Sequence, residues 1–166
     1  MNQVIFIIVK IYTDSTWLNN KMLQLTLGGQ KQLSEGKYPI YVVDNYEDIN
    51  QYMDQAEYLF VETAGDIVVN RDHLWEKIHN IPYEVGIMGH IIWYPEDPTP
   101  HLHEQCFIIK TAAFKNQKLT FNESHKDSGP EFLRGPGDMN NGHAPLSVRL
   151  SENTVPRVVG FGTTVM

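Results

Sequence analysis

The chain has 166 residues, of which 42% are hydrophobic and 11% aromatic, and its formal net charge is -7. This size and composition predict one globular domain over 1–166 and exclude a disordered chain. The negative charge argues against nucleic acid as a partner, because the protein surface would repel its phosphates. Cys106 is the only cysteine, which excludes an intrachain disulfide and a cysteine-rich zinc module, so we expect a cytoplasmic protein. No apolar run is long enough for a membrane span.

The chain opens with an apolar run followed by a helix-like stretch. Val4–Val9 is continuously apolar and rich in β-branched residues, which predicts a central strand covered on both faces. Ser15 or Thr16 is a suitable N-cap for the next helix, and Gly36 is suited to end it. We expect this helix to break or bend at the pair Gly28–Gly29. Its expected inward-facing residues are Leu18, Met22 and Leu25.

Strand-like and helix-like segments continue to alternate along the chain. Helices are predicted over 47–55 and from Asn70 onward. The predicted strands after the first are 39–43, 58–61, 85–92 and the run that begins at Cys106. This alternation predicts the α/β class, as a three-layer α/β/α domain whose central sheet is mixed but mostly parallel.

Proline and glycine dominate two later segments. Tyr94–Pro100 contains three prolines and is predicted to be a loop. Asn122–Pro145 is rich in glycine, proline and asparagine, and we expect a long loop excursion with fast hydrogen exchange. Edge strands are predicted over 146–150 and 157–159.

Polar residues stand at the ends of the predicted strands. Asp44 follows the second strand, Glu62 and Asp66 follow the third, and His90 lies near the end of the fourth. In a parallel sheet these ends share one edge, where carboxylates can hold a divalent cation and the ribose or phosphates of a nucleotide. The alternative is that Asp44 and Asp66 form turns and Glu62 is a solvated strand end.

A histidine-rich stretch, 101–105, precedes the strand that begins at Cys106. In an extended conformation His101 and His103 share one face, where they can meet a metal or a substrate, and Glu104 points to the other. These residues join Asp44, Glu62 and Asp66 if that strand runs antiparallel or if the proline-rich loop folds back. We expect this convergence.

Together, the opening strand and the segments 42–45, 60–66 and 103–109 resemble the GT-A fold of nucleotide-sugar-dependent glycosyltransferases, over roughly the first two-thirds of the chain. The resemblance implies a nucleotide-sugar donor and an acceptor hydroxyl as partners. It implies that Asp44 holds the nucleoside, that Glu62 and Asp66 carry the diphosphate with Mn²⁺ or Mg²⁺, and that His103 or Glu104 activates the acceptor.

The sequence departs from that family in one motif, and two other hypotheses stay open. There is no Asp-x-Asp, since Thr63, Ala64 and Gly65 separate the two acids, and this leaves metal dependence open. One alternative is a metal-dependent enzyme that uses His101 and His103 with His125, His143 or a carboxylate. The other is a non-catalytic binding or assembly domain, in which the following aromatic residues form core and contact surface: Trp17, Trp75, Trp93 and Tyr94.

Overall fold

A computed structural model describes residues 2–68, 71–79, 85–94, 97–116, 120–121, 133–134 and 157–165. The helices are α1 (Thr16–Ser34), α2 (Arg71–His79) and α3 (Thr111–Asn116), with a 3₁₀ helix over Glu47–Tyr52. The strands are β1 (Asn2–Val9), β2 (Ile40–Val43), β3 (Ala56–Thr63), β4 (Val85–Tyr94), β5 (Asp97–Lys110), β6 (Thr120–Phe121), β7 (Leu133–Arg134) and β8 (Arg157–Val165).

Six of these strands form one mixed sheet in the order β2-β1-β3-β5-β4-β8. β1 is parallel to both β2 and β3, and β4 is parallel to β8. β5 is antiparallel to both of its neighbours, β3 and β4, so within the described sheet it alone opposes the other five strands. The predicted α/β class with a mostly parallel, mixed sheet is confirmed.

Both faces of β1 are buried, which explains its continuous apolar run. Val4 and Phe6 belong to a cluster that includes Leu33 of α1 and Ile78 of α2. The alternate residues of β1 belong to a second cluster on the other face, which includes Ile49 of the 3₁₀ helix and Phe114 of α3. A strand covered on both faces has no solvent-facing side to make polar, so the prediction for this strand is confirmed.

The helix predicted after β1 is present without the predicted break, and Leu25, one of its three expected inward-facing residues, is exposed. Ser15 caps it, with the Ser15 side chain accepting a hydrogen bond from the Leu18 N–H, and the helix runs unbroken to Ser34. The buried residues are Thr26, Gln30, Leu33 and Ser34, whereas Leu25 is 46% exposed. Gly29 serves close packing instead of a break, because a Cβ there would lie 3.2 Å from Cγ2 of Ile67.

The proline-rich segment is not the loop that the sequence predicted. β4 extends to Tyr94 and β5 begins at Asp97, so Pro98 and Pro100 lie within a strand. Proline has no N–H to donate and is tolerated where one side of a strand lacks a partner. In the described ladder β5 pairs with β3 only from Cys106 onward, and its earlier residues pair with β4 alone.

The structure describes only parts of the segments predicted after residue 121. Within the predicted excursion 122–145, residues 133–134 are described and form β7, which pairs with β6. The remainder of that segment and the predicted strand 146–150 lie outside the described residues. The predicted edge strand at 157–159 is confirmed as the start of β8, which lies at one end of the sheet order. No helix in the described ranges is long and apolar enough to cross a membrane.

Candidate functional site

The sheet edge at which β1 to β4 end, here called the carboxyl edge, brings the predicted segments together. Two backbone hydrogen bonds join the ends of neighbouring strands at this edge. The Lys10 N–H, just after β1, donates to the Val43 carbonyl of β2 at 3.0 Å, and the Ala64 N–H, just after β3, donates to the Val9 carbonyl of β1 at 2.8 Å. Glu62 pairs with Cys106 in antiparallel register. The part of β5 before Cys106, which carries His101, His103 and Glu104, therefore extends from this same edge, as predicted for an antiparallel strand.

A large irregularity interrupts β5 in this part of the strand. Gly89 of β4 pairs with Phe107 and Ile91 with Leu102, so His90 alone faces residues 103–106. Bulges of this kind break the two-residue alternation of side chains and are common beside functional sites. The expected common face of His101 and His103 depends on regular alternation at the start of this irregular stretch. The side chains of 101–105 lie outside the described atoms.

Asp44 lies in an exposed polar cluster at the ends of β1 and β2. Its Oδ1 accepts hydrogen bonds from Lys10 Nζ at 2.8 Å and from the Tyr12 hydroxyl at 3.2 Å. The hydrogen bonds from Lys10 and Tyr12, with the charge of Lys10, hold the pKa of Asp44 below its ordinary value, so the carboxylate is ionised. Tyr12 as a whole residue is 70% exposed. A carboxylate and an aromatic plane thus stand side by side in solvent.

Glu62 is buried between α1 and the sheet, so it is not a solvated strand end. It is 1% exposed, and its Oε2 accepts a hydrogen bond at 3.0 Å from Gln30 Nε2, which also donates to the Ile7 carbonyl. Burial, with a smaller effect of Asp66, raises the pKa of Glu62 to about 8, although the hydrogen bond from Gln30 opposes the shift. Oε1 of Glu62 and Oε1 of Gln30 find no partner among the described atoms. Glu62 is therefore largely uncharged at pH 7.

Asp66 closes a tight turn, 63–66, that packs against α1. The Asp66 N–H donates to the Thr63 carbonyl at 3.1 Å, and Gly65 has a φ of 109°, which a residue with a side chain adopts only under strain. The Thr26 hydroxyl bonds the backbone of both Gly65 and Asp66. Asp66 thus has the turn-forming role that the sequence allowed, and it stands beside Glu62.

Thr26 and Gln30 are site residues that the sequence did not point to. They stand four residues apart, on the same face of α1 as the buried Leu33. Their spacing is the only local signal, because their partners, Asp66 and Glu62, lie more than thirty residues further along the chain. A polar pair at helical spacing is equally compatible with a solvated face.

The predicted acids fall into two groups instead of one. Glu62 and Asp66 interact with each other and with Cys106, where burial and then these two acids raise the pKa of the thiol well above its ordinary value. Asp44 lies on the other side of β1, and strands two positions apart in a sheet are about 10 Å apart. In the described ranges no three His, Cys, Asp or Glu side chains are grouped to hold a metal. No protein-family model, no curated protein and no solved structure matches this chain.

Proposed function

We propose that this chain is a glycosyltransferase-like domain that binds a nucleotide-sugar at the carboxyl edge. The observation that carries the proposal is the cluster of Lys10, Tyr12 and Asp44, which presents an exposed ring beside an ionised carboxylate. The base stacks on the Tyr12 ring, and the ribose hydroxyls donate hydrogen bonds to Asp44. This use of the strand ends agrees with the GT-A resemblance and with a three-layer α/β/α fold.

Asp66 is assigned to the diphosphate part of the donor. Glu62 is enclosed and largely uncharged, so it does not fit the role of a cation ligand that the resemblance implies. One carboxylate fits a hydrated Mg²⁺ or Mn²⁺, because such ions take one or two carboxylates together with substrate phosphates and water. Such an ion would neutralise the diphosphate beside a protein of net charge -7.

Transfer of the sugar is assigned to the β5 segment. His103 or Glu104 takes the proton of an acceptor hydroxyl, whose oxygen then forms the bond to the anomeric carbon of the sugar. The bond from that carbon to the diphosphate breaks, and its electron pair leaves with the nucleoside diphosphate. The position of this segment at the carboxyl edge, beside an irregularity in β5, supports the assignment.

Replacing Tyr12 with leucine is expected to weaken nucleotide binding by about fivefold to 150-fold, because stacking of a base on an aromatic ring contributes about 1–3 kcal/mol. Isothermal titration with UDP, GDP and their sugars, each with Mn²⁺, measures the effect. Tyr12→Phe is the matched control, since it keeps the ring and loses only the hydroxyl that bonds Asp44.

Two results of that titration would count against the proposal. The absence of heat for every nucleotide and nucleotide-sugar with the wild-type protein would overturn it. Equal loss of affinity in the leucine and phenylalanine variants would show that the ring does not stack on a base. Asp44→Asn tests the ribose contact separately, and we expect it to weaken all the nucleotides by a similar factor, because each contains ribose.

A further inference from the structure

A buried threonine of α1 holds the turn that carries Asp66. Thr26 is 0% exposed, and its Oγ1 accepts a hydrogen bond at 2.8 Å from the Gly65 N–H. The same hydroxyl donates to the Asp66 carbonyl at 2.8 Å. A hydroxyl has a single hydrogen to donate, so these two bonds define its orientation. One side chain therefore fixes two successive residues of the turn.

Close packing of α1 on either side of Asp66 adds to this restraint. On one side, a Cβ at Gly65 would lie 3.1 Å from Met22 Sδ. On the other side, Ile67 packs closely against Gly29. Burying a hydroxyl costs free energy unless it is hydrogen-bonded, so the two bonds of Thr26 account for a polar residue at this fully buried position.

We propose that Thr26 is a positioning residue, whose hydroxyl sets the backbone of Gly65 and Asp66 and thereby places the Asp66 carboxylate for the diphosphate and its cation. This inference rests on the proposed function, in which Asp66 lies beside the diphosphate while Tyr12 and Asp44 hold the nucleoside. The two groups lie on opposite sides of β1, so a change at Thr26 affects one part of the nucleotide only.

The test compares UMP with UDP plus Mn²⁺ in the wild-type, Thr26→Val and Thr26→Ser proteins. Valine keeps the shape of threonine without the hydroxyl, and we expect it to lower the affinity gain of UDP with Mn²⁺ over UMP by about tenfold to a hundredfold, the usual effect of removing a group that orients a metal-binding side chain. The affinity for UMP stays unchanged. Serine restores the hydroxyl, and we expect it to restore most of the affinity gain of UDP with Mn²⁺ over UMP. Should the valine variant fail to fold, Thr26→Ala gives the same comparison.

Thr111→Val is the matched control for loss of stability. Thr111 is also buried, and its single hydroxyl hydrogen has two acceptors within reach at the opposite end of β3, the Ala56 carbonyl at 2.7 Å and the Glu57 carbonyl at 3.1 Å. We expect this variant to lose stability and to keep both affinities. The proposal is overturned if Thr111→Val lowers the gain as much as Thr26→Val does, or if Thr26→Val weakens UMP and UDP equally or changes neither.

Hydrogen exchange separates failure of this proposal from failure of the proposed function. The Gly65 amide donates to Thr26, so its exchange should become at least about tenfold faster in Thr26→Val. Unchanged exchange at Gly65 overturns the positioning role whatever the protein binds. A wild-type protein that binds neither UMP nor UDP, but whose Gly65 exchange responds to the substitution, overturns the nucleotide function and leaves Thr26 as the residue that fixes this turn.

Discussion

Replacing Glu62 with glutamine is expected to stabilise the folded protein strongly at pH 9 and very little at pH 5. Burial raises the pKa of Glu62 from an ordinary value of 4.5 to about 8, so the folded state keeps a proton that the unfolded state loses. The contribution of Glu62 to the free energy of unfolding therefore falls as the pH rises from about 4.5 to about 8 and is constant above that range. The loss is at most about 5 kcal/mol, since each pKa unit corresponds to about 1.4 kcal/mol.

The hydrogen bonds around Glu62 favour the same variant. Oε1 of Glu62 and Oε1 of Gln30 are both acceptors without a donor among the described atoms. A proton gives the Glu62 side chain a donor at low pH, and the amide of a glutamine gives it one at every pH. The variant therefore keeps an acceptor for Gln30 Nε2, adds a donor and removes the buried charge.

Urea unfolding at pH 5, 7 and 9 measures this prediction. Glu57→Gln is the matched control, because Glu57 lies on the same strand with its side chain exposed. We expect the Glu57 variant to follow the wild-type protein at all three pH values. A wild-type free energy of unfolding that is the same at pH 5 and pH 9 would show that Glu62 is not held in its neutral form.

The sequence predicted the sheet well because its signals are local. The run Val4–Val9 contains its own evidence, since its short length, its β-branched residues and its apolar side chains at every position favour a strand covered on both faces. An antiparallel β5 was one of two arrangements predicted to bring His101 and His103 to the edge where the acids lie, and β5 is antiparallel to β3. Alternation of strands and helices sufficed for the fold class.

The candidate site was harder to predict because its contacts are distant in sequence. Glu62 ends a strand, and nothing near it shows that Gln30, on a helix far earlier in the chain, covers it. The burial of Thr26 was missed for the same reason: its side chain bonds the backbone of the 63–66 turn, whereas the apolar Leu25 beside it is exposed. Pro98 and Pro100 led to the wrong prediction of a loop, because a strand accepts proline only where a neighbouring strand is missing, and the local sequence does not show this.

Replacing Phe6 with alanine is expected to lower the free energy of unfolding by about 3–5 kcal/mol, the usual cost of removing a buried phenylalanine side chain. Phe6 is fully buried, and its ring meets Phe60 edge-on with 5.5 Å between centroids and Trp75 with 6.1 Å. These contacts join β1, β3 and α2.

Urea unfolding at one pH measures the loss at Phe6, with Phe6→Leu as the matched control. Leucine keeps most of the apolar volume and should cost much less. Because a domain of this size has a stability of about 5–15 kcal/mol, the alanine variant should lose between about a fifth and all of it. A change of less than about 1 kcal/mol would instead mean that the face of the sheet under α1 and α2 is not part of a close-packed core. In that case the support for β3, and for the carboxyl edge at its end, would have to come from the other face.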